Sequence, residues 1–447
     1  MCGIFGVHNH NEASNMVYLG LYALQHRGQE GAGIISTDGQ ELYRIRRQSL
    51  VADAFDEAAF EFLKGDSAIG HVRYSTTGGN IQRNLQPFVA SLEEGEVSVA
   101  HNGNLTNFNE LKSSMAKEGA IFHSTMDTEA ILHLIARQDK SLTLEEKIAE
   151  CLKLLKGAFS LLFLNKDKLI AARDPWGLRP LCMGKTKDGK WLFSSETCAF
   201  DLLEAQYIRD VKPGEIVVVE KNKAEPISIQ YSTAKPAKCV FEHIYFSRPD
   251  SKVFGKDVYS SRKNLGKVLA QETKDIKADL VMAVPDSGVL AAMGYAEESK
   301  LPFEMGMIRN HYVGRTFIEP KQSIRGFGVK VKLNPVKDIL VGKRIVVIDD
   351  SIVRGTTSKK IIKMLKSAGA SHVSLLISSP PFISPCYYGI DTPEKSDLIA
   401  SQMSIEELKD YIGADTLHFL SIDGMYKAME ATKNEFCDAC FTENYPV

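Results

Sequence analysis

The spacing of apolar residues changes near the middle of this 447-residue chain. In the first half, short runs such as SLLFLN and EIVVVE alternate with polar loops and predict strands, whereas ILHLIARQ has apolar residues at helical spacing. In the second half, DLVMAVPDSGVLAAMGYA and RIVVIDDSIVRGTTSKKIIKMLKSAGA each join an apolar strand to a helix. This alternation predicts a mostly parallel sheet with helices on its faces. The segment 391–436 has the pattern of charged, amphipathic helix, so we expect mainly helix there.

A polar stretch with two prolines separates the two halves. It runs from about 222 to 238 as KNKAEPISIQYSTAKPA, a composition typical of a boundary between domains. A chain of 447 residues is also too long for one ordinary core. We therefore predict two domains, residues 1–230 and residues 231–447, the second of which ends in a helical tail.

The composition is ordinary for a soluble globular protein, with 44% apolar residues, 25% charged residues and a net charge of −2. Nothing in it favours broad electrostatic binding of nucleic acid or of a membrane, and no apolar run approaches the roughly 20 residues of a membrane span. We see no export signal, and the eight cysteines do not resemble a secreted disulfide framework. These features predict a cytoplasmic location. Three cysteines in apolar surroundings are expected in the core: Cys151, Cys182 and Cys198.

The chain begins MCGIFGV, which places a cysteine at position 2. Removal of Met1 would leave Cys2 with a thiol and a free α-amine on one carbon. An α-amine has an ordinary pKa of roughly 8, so it can act near neutrality as the general base for its own side chain. The alternative is that Cys2 is merely a small residue that follows the start methionine.

Three further fragments favour the catalytic interpretation of Cys2. They are QHRGQEGAG (25–33), HVRYSTTGG (71–79) and HNGNLTN (101–107). Each is weak by itself, since a lone arginine is usually a solvated charge and NG is usually only a turn. Together and in this order behind MCGI, they resemble the glutamine-hydrolysing domain of the N-terminal-nucleophile (Ntn) amidotransferases, over residues 2 to about 230. The resemblance implies an α+β Ntn-hydrolase domain with an αββα sandwich.

The resemblance also implies a role for five residues. Amide hydrolysis needs a nucleophile, a base and donors for the developing oxyanion. Cys2 would attack the glutamine side-chain amide, while Asn102 and the amide of Gly103 would stabilise the oxyanion. Arg73 would bind the substrate α-carboxylate, for which a guanidinium is suited, and Asp127 would bind the α-ammonium. The alternative for Asp127 is a helix N-cap, because MDTEAILHL looks like a helix start.

The second half contains RIVVIDDSIVRGTTS (344–358), an apolar strand followed by two acids, a loop of small residues and a helix. Small residues let backbone amides surround a phosphate, and a helix N-terminus favours an anion. Asp349 and Asp350 can accept from sugar hydroxyls and hold Mg²⁺ with its waters. The string resembles the phosphoribosyl-pyrophosphate loop of type I phosphoribosyltransferases, an α/β fold. The resemblance implies that this ligand is bound by Asp349, Asp350, Ser351, Arg354, Gly355, Thr356, Thr357, Ser358 and Arg315.

Two further strings fit the same resemblance. AVPDSG (283–288) matches the pyrophosphate loop of that family, with Ser287 as a contact to Mg²⁺. IRNHYVGRTFIEP (308–320) matches the loop that closes over substrate. Three cations there could balance a polyanion, or they could form a solvated face: Arg309, Arg315 and Lys330.

The order of the two domains resembles the amidophosphoribosyltransferase family over essentially the whole chain. The implied reaction converts glutamine, phosphoribosyl pyrophosphate and water to phosphoribosylamine, pyrophosphate and glutamate, the first step of purine synthesis. The family also implies a homotetramer, purine nucleotides as feedback inhibitors, and a place for YFSRPDS (245–251) near an interdomain route for ammonia. One rival is another glutamine amidotransferase, against which DDSIVRGTTS argues. The other is a non-catalytic regulator that senses phosphoribosyl pyrophosphate.

FCDACF near the C-terminus supplies Cys437 and Cys440 at a spacing that lets two thiolates reach one metal centre. The pair by itself is compatible with zinc, a redox dithiol or chance. Some members of the amidophosphoribosyltransferase family carry a [4Fe–4S] cluster, and Cys239 and Cys386 stand at the places of the other two ligands. The resemblance therefore implies a mainly structural cluster that anchors the C-terminal tail.

Overall fold

The structure is a computed structural model that describes residues 1–75, 79–93, 95–221, 223–311, 332–392 and 394–447. The strands of the first half are β1 (Gly3–Val7), β2 (Gly31–Thr37), β3 (Leu42–Arg47), β4 (Ser67–Arg73), β5 (Phe88–Leu92), β6 (Gly95–Leu105), β7 (Gly157–Leu164), β8 (Lys168–Arg173), β9 (Cys182–Lys185), β10 (Trp191–Ser194), β11 (Gln206–Asp210), β12 (Glu215–Glu220) and β13 (Ile227–Gln230). Within the described ranges they form two antiparallel sheets, with strand orders β11-β9-β10-β1-β4-β2-β3 and β13-β12-β8-β7-β6-β5.

The two sheets pack face to face, and helices cover their outer faces. The helices of this half are α1 (Ala13–Ala23), α2 (Val51–Ala54), α3 (Glu57–Phe62), α4 (Phe108–Lys117), α5 (Asp127–Ala136), α6 (Leu144–Leu152) and α7 (Cys198–Leu202). Apolar residues between the sheets include Ile4 and Ile69 from one sheet and Leu162 from the other. Helices α1, α2, α3 and α7 cover the first sheet, while α4, α5 and α6 cover the second. This arrangement confirms the αββα sandwich.

The apolar runs of the first half predicted three of its elements correctly. The runs SLLFLN and EIVVVE lie in β7 and β12, and ILHLIA lies in α5. Helix α6 begins with a capping box between Thr143 and Glu146, in which each side chain accepts from the other's backbone N–H. The three cysteines expected in the core are buried: Cys151, Cys182 and Cys198.

The second half of the chain is built around a parallel sheet and also contains several short strands. Its strands are β14 (Lys238–Cys239), β15 (Lys252–Val253), β16 (Lys256–Asp257), β17 (Leu280–Ala283), β18 (Met307–Arg309), β19 (Leu333–Pro335), β20 (Arg344–Asp349), β21 (His372–Ile377), β22 (Thr416–Phe419) and β23 (Phe436–Cys437). Its helices are α8 (Val258–Glu272), α9 (Val289–Ser299), α10 (Lys337–Leu340), α11 (Thr356–Ser367), α12 (Ile399–Gln402), α13 (Ile405–Ile412), α14 (Ile422–Ala428) and α15 (Ala439–Thr442). The main sheet of the described part has the order β17-β20-β21-β22, with parallel pairing throughout.

Helices cover both faces of this parallel sheet, as predicted. Along β20, Val346 and Ile348 point to the face covered by α8 and α9, whereas Ile345 and Val347 point to the face covered by α11 and α13. This two-residue period is that of a strand buried on both sides. The expected α/β fold of the second half is confirmed. The division into domains at residue 230 stays a prediction.

The expectation of mainly helix over 391–436 was incomplete. The segment contains α12, α13 and α14, but it also contains β22, the edge strand of the parallel sheet. The four residues of β22, TLHF, are too few to show a strand pattern in the sequence. Their pairing with β21 supplies the context that the local pattern lacks. None of the helices in the described ranges is long and apolar enough to cross a membrane.

Candidate functional site

Cys2 directly precedes β1, which lies between β10 and β4 in the first sheet. The Cys2 side chain is buried, and its thiol donates to the carbonyl oxygen of Tyr74 with an Sγ–O distance of 3.6 Å. The Cys2 carbonyl accepts a hydrogen bond from Arg27 Nε at 3.0 Å. Cys2 therefore lies at the end of the sheet, held by its own strand and facing the segment that follows β4.

Met1 is buried, and its thioether sulfur contacts the guanidinium groups of Arg27 and Arg179. Burial is the main cause that lowers the pKa of the Met1 α-amine from 8.0 to about 5, and the two arginines act in the same direction. An α-amine at this place is therefore neutral near pH 7, as a general base must be. In the chain as printed, however, the Cys2 nitrogen belongs to an amide.

The two residues expected to stabilise an oxyanion, Asn102 and Gly103, lie near the end of β6 and pair with β7, so the NG pair belongs to a strand and is not a turn. We call residues 102–104 the oxyanion segment. The side chain of Asn102 is buried, and within the described ranges its amide nitrogen and oxygen have no hydrogen-bond partner. A buried polar group without a partner is costly and marks a place where a ligand can complete the hydrogen bonds. The backbone of Gly103 approaches β7 so closely that a side chain there would collide with the carbonyl of Ala158.

Arg73 ends β4 and is buried. Its guanidinium donates to the carbonyls of Asn84 at 3.1 Å and Gly79 at 3.3 Å. Glu30, whose backbone N–H donates to the Arg73 carbonyl at 3.1 Å, accepts from the backbone N–H of Ser75 at 2.9 Å. The segment beside the Cys2 thiol is thereby fixed by contacts on both sides of Arg73.

Asp127 is the first residue of α5, and its carboxylate does not cap that helix. One carboxylate oxygen accepts from the backbone N–H of Leu105 at 2.9 Å, and the other lies 3.5 Å from Nδ1 of His101. Burial would raise the pKa of Asp127, but the nearby His101 outweighs it and the pKa lies below its ordinary value. Asp127 is thus a buried carboxylate that contacts β6 on either side of the oxyanion segment, at His101 and Leu105. The N-cap alternative is wrong.

The strand ends of the two sheets bring these residues to one place. The imidazole of His71, on β4, lies 3.2 Å from the carbonyl oxygen of His101, on β6. This contact joins the strand that ends at Arg73 to the strand that carries Asn102. The Cys2 thiol lies beside the continuation of the first strand. The five glutaminase residues expected from the sequence are therefore connected through adjoining strand ends.

The second predicted site lies at the carboxyl end of β20. Asp349 and Asp350 are both buried, and the backbone N–H of Asp350 donates to the Asp349 carboxylate at 2.9 Å. Burial, followed by the Asp350 carboxylate, raises the pKa of Asp349 well above 3.8. Two carboxylates that repel each other in a buried place are a suitable setting for a divalent cation, whose preferred ligands are hard oxygens.

A small-residue loop connects these acids to α11. Ser351 Oγ donates to the Asp350 carboxylate at 2.6 Å. Gly355 stands before the first helical residue with φ +69°, a left-handed conformation that favours glycine. Thr356, Thr357 and Ser358 form the first turn of α11, where free backbone N–H groups favour an anion. Arg354 is exposed and forms an ion pair with Asp397 at 3.2 Å.

The loop that carries Ser287 follows β17 and lies beside the end of β20. The backbone N–H of Val284 donates to the carbonyl of Ile348 at 2.8 Å, and Gly288 packs against the same carbonyl. Ser287 therefore belongs to the edge of the sheet that carries the two acids. Arg309 forms an ion pair with Asp286 of this loop. Arg315 and Lys330, the other cations expected there, lie outside the described residues.

The cysteines at the C-terminal end lie together. β14 and β23 pair in parallel with Cys239 opposite Cys437, and the carbonyl of Cys440 accepts from the backbone N–H of Ile383 at 2.9 Å. Burial raises the pKa of the Cys440 thiol, with smaller contributions from Cys239, Cys386 and Cys437. All four are free thiols. Three separate segments thus contribute cysteines to one neighbourhood.

A buried ion network between the halves has no counterpart in the sequence motifs. Arg27, on the first half, donates to Glu242 at 3.0 and 3.1 Å and also pairs with Glu196. Glu196 accepts from the backbone N–H of Arg248 at 2.9 Å and from Ser251 Oγ at 2.7 Å. The motif YFSRPDS therefore lies between the halves. Lone glutamates outside any motif gave no signal of this arrangement.

Comparison with known proteins agrees with the family expected from the sequence. A family model described as a glutamine amidotransferase domain matches residues 71–201. Amidophosphoribosyltransferase 1, chloroplastic, from Arabidopsis thaliana is 51% identical over 449 residues, covering 100% of this chain and 78% of that protein. Amidophosphoribosyltransferase from Bacillus subtilis (strain 168) is 48% identical over 452 residues, covering 100% of this chain and 94% of that protein. The chain belongs to the amidophosphoribosyltransferase family.

Solved structures extend the match to the arrangement of the whole chain. Glutamine phosphoribosylpyrophosphate amidotransferase from B. subtilis, complexed with ADP and GMP, is 47% identical with a TM-score of 0.93, covering 100% of this chain and 97% of that one. A structure of the allosteric regulatory enzyme of purine biosynthesis has a TM-score of 0.94 at 47% identity, covering 100% of this chain and 96% of that one. As an amidophosphoribosyltransferase, this chain is a pentosyltransferase that catalyses the first step of purine biosynthesis. The function expected from the combined motifs is confirmed, and neither rival is supported.

Proposed function

We propose that Cys2 becomes the N-terminal residue and hydrolyses glutamine, and that the ammonia reacts in the second half. The observation that carries this proposal is that the Cys2 thiol, the oxyanion segment and Asp127 are connected through adjoining strands. Cys2 is buried and its carbonyl accepts from Arg27 Nε, so an α-amine freed on Cys2 by removal of Met1 would lie in a buried place next to a guanidinium, where burial disfavours its charged form. That amine would accept the thiol proton as the sulfur attacks the side-chain carbonyl of glutamine, and would then protonate the leaving ammonia.

The oxyanion formed in this attack is stabilised by the side chain of Asn102 and the backbone N–H of Gly103. The buried Asn102 amide is suited to this because it has no protein partner to give up in the described part of the chain. Donors that are already in place cost no reorganisation during the reaction. The backbone of Gly103 is fixed by its close approach to Ala158.

Glutamine is recognised through its two charged α-groups. Arg73 binds the α-carboxylate, and Asp127 binds the α-ammonium, for which its lowered pKa keeps it ionised at neutral pH. Both side chains are buried, which excludes water and strengthens a charge-assisted hydrogen bond.

Phosphoribosyl pyrophosphate binds at the carboxyl edge of the parallel sheet. Asp349 and Asp350 accept from the ribose hydroxyls, while the loop from Ser351 to Ser358 surrounds the 5′-phosphate with backbone N–H groups. Arg309 and Arg315 balance the charge of the pyrophosphate. Mg²⁺, when bound, neutralises that leaving group, and the buried, mutually repelling carboxylates of Asp349 and Asp350, with Ser287, form a donor set that fits it.

The four C-terminal cysteines would hold a [4Fe–4S] cluster. Their free thiols come from three segments that share one neighbourhood. In the described residues, no three His, Cys, Asp or Glu side chains surround a single ion position. When bound, the cluster would supply a covalent link between the C-terminal tail and the body of the second half.

We further propose a homotetramer that purine nucleotides inhibit. The B. subtilis relative, complexed with ADP and GMP, supports nucleotide binding by a chain of this fold. The cytoplasmic location and the division at residue 230 stay predictions.

The role of Asn102 is tested by comparing Asn102→Ala with Asn107→Ala. Asn107 donates to the carbonyl of Leu154 at 2.9 Å and has no assigned part in catalysis. Loss of one oxyanion donor lowers kcat about 100- to 1,000-fold. We expect that loss in glutaminase activity for Asn102→Ala, with ammonia-dependent synthesis unchanged, and near-normal glutaminase activity for Asn107→Ala. Equal glutaminase rates in the two variants would contradict the proposal.

A further inference from the structure

A loop of the second half packs directly on the oxyanion segment of β6. A side chain built on Gly389 would place its Cβ 3.0 Å from the carbonyl carbon of Gly103 and 3.1 Å from its Cα and its oxygen. Next to this contact, Asn104 Nδ2 donates to the carbonyl of Tyr387 at 2.9 Å, across 283 residues of sequence. Gly103 and Asn104 of the oxyanion segment are therefore in contact with one short stretch, residues 385–389, which we call the support loop.

Gly103 is also limited by the first half. A Cβ on Gly103 would collide with the carbonyl of Ala158 and would lie 2.8 Å from Nε2 of His101. The Gly103 backbone is therefore in contact with both β7 and the support loop. An N–H group stabilises an oxyanion only when it points at the developing charge. The contacts with the Cα and the carbonyl of Gly103 restrict the residue whose N–H is the expected donor.

The end of the chain holds the support loop in place. The Tyr388 hydroxyl donates to the Val447 carbonyl at 2.7 Å and accepts from the Val447 N–H at 3.1 Å. The Tyr445 hydroxyl donates to the Pro385 carbonyl at 2.6 Å. Tyr388 is 1% exposed, and Gly389 has a φ of +103° that favours glycine. These contacts join the loop to the C-terminal segment.

We propose that the support loop positions the oxyanion segment, so that Gly389, Tyr388 and Asn104 are positioning residues for glutamine hydrolysis. This inference rests on the proposed roles of Asn102 and Gly103. None of the three positioning residues is assigned to a substrate. Moving the loop changes the direction of the Gly103 N–H and leaves Arg73 and Asp127 in place. It therefore lowers kcat more than it changes the KM for glutamine. Asp349 and Asp350 of the phosphoribosyl site follow β20 and lie outside the support loop, so the use of ammonia is kept.

The test compares Gly389→Ala with Gly119→Ala. Gly119 has a φ of +90° and no atom within 4 Å of a built Cβ, so its alanine variant carries similar backbone strain without pressing on a neighbour. For Gly389→Ala we expect kcat with glutamine to fall about 10- to 100-fold, part of the loss caused by removing a donor. The KM for glutamine and the rate of ammonia-dependent synthesis should stay within about twofold of the parent, and Gly119→Ala should match the parent in all three.

Tyr388→Phe is the second variant, because it removes the hydroxyl that binds Val447 and introduces no backbone strain. We expect a smaller loss of kcat with glutamine, about 3- to 10-fold, again without loss of ammonia-dependent synthesis. If Gly389→Ala does not fold, Tyr388→Phe together with Asn104→Ala decides the question. Unchanged kcat with glutamine in the folded variants, or equal losses with glutamine and ammonia, overturns the inference.

The parallel measurement on Asn102→Ala separates this inference from the proposed function. If Asn102→Ala loses glutaminase activity while the loop variants keep theirs, only the role of the support loop is wrong. If Asn102→Ala keeps full glutaminase activity, the role assigned to the oxyanion segment is itself wrong.

Discussion

Glu242→Gln removes a carboxylate from the buried ion network between the two halves. Glu242 and Arg27 are both fully buried. The carboxylate accepts from the two terminal nitrogens of Arg27 at 3.1 and 3.0 Å and from Ser247 Oγ at 2.5 Å, and it lies 3.4 Å from Arg179. A glutamine of the same size keeps the packing and changes only the charge and one acceptor.

Removing one partner of a buried ion pair costs about 3–5 kcal/mol, because the other charge stays buried without compensation. Arg27 keeps its pair with Glu196, so we place the loss of unfolding free energy for Glu242→Gln at the lower end, about 3 kcal/mol. The matched control is Glu150→Gln. Its partner Lys153 lies 2.6 Å away and both side chains are 48% exposed, so a loss of less than about 1 kcal/mol is expected.

The difference in the free energy of unfolding between Glu242→Gln and the parent should depend on pH. Burial would raise the pKa of Glu242, but Arg27 outweighs it and the pKa in the folded chain lies below 4.5. A carboxyl with a lowered pKa contributes stability that is present above its unfolded pKa and is lost as pH falls through its folded pKa. The difference should therefore be full at pH 7 and shrink below about pH 4.

Urea unfolding at pH 7, followed by tryptophan fluorescence and by circular dichroism, measures these free energies where the two transitions coincide. A loss for Glu242→Gln no larger than that for Glu150→Gln would refute the reasoning. In that case the interface between the halves would not depend on this ion network.

Three more predictions concern the two sites and the cysteines. Intact-mass analysis should show Met1 absent, because an amide nitrogen cannot serve as the base, and fully active protein that retains Met1 would contradict self-activation of Cys2. Asp349→Ala and Asp350→Ala should each weaken synthesis from glutamine and from ammonia alike, because both nitrogen sources meet the same phosphoribosyl site; loss of the glutamine-dependent rate alone would show that the roles are wrongly assigned. Protein purified without oxygen should be brown, with about four irons per chain, and should lose iron, activity and stability together on exposure to oxygen. Active anaerobic protein that contains zinc or no metal would refute the cluster.

The sequence was most informative where a function needs neighbouring residues in one short string. Strand, acids, small-residue loop and helix follow one another in 344–358, and the structure keeps that order from β20 to α11. Local spacing also predicted β7, β12 and α5, because a short apolar run between polar residues is typical of a buried strand and apolar residues at helical spacing are typical of a helix.

Contacts between distant segments could not be predicted from the sequence. Glu196 and Glu242 lie outside any motif, and only the folded chain shows that both bind Arg27. The same holds for Gly389, whose contact with Gly103 joins residues far apart in the chain. The short β22 was missed because four residues carry too little pattern, and its pairing with β21 determines its conformation.

The account's central claim is that two separate sites share one ammonia intermediate, and Cys2→Ala tests it most directly. Pyrophosphate release would be measured with phosphoribosyl pyrophosphate and either glutamine or ammonia, with glutamate measured alongside; Cys198→Ala, a buried cysteine outside both sites, is the control. The account predicts that Cys2→Ala forms no glutamate and releases no pyrophosphate with glutamine, yet matches the parent with ammonia. Loss of the ammonia-dependent rate in a folded Cys2→Ala protein, or persistence of the glutamine-dependent rate, would contradict it.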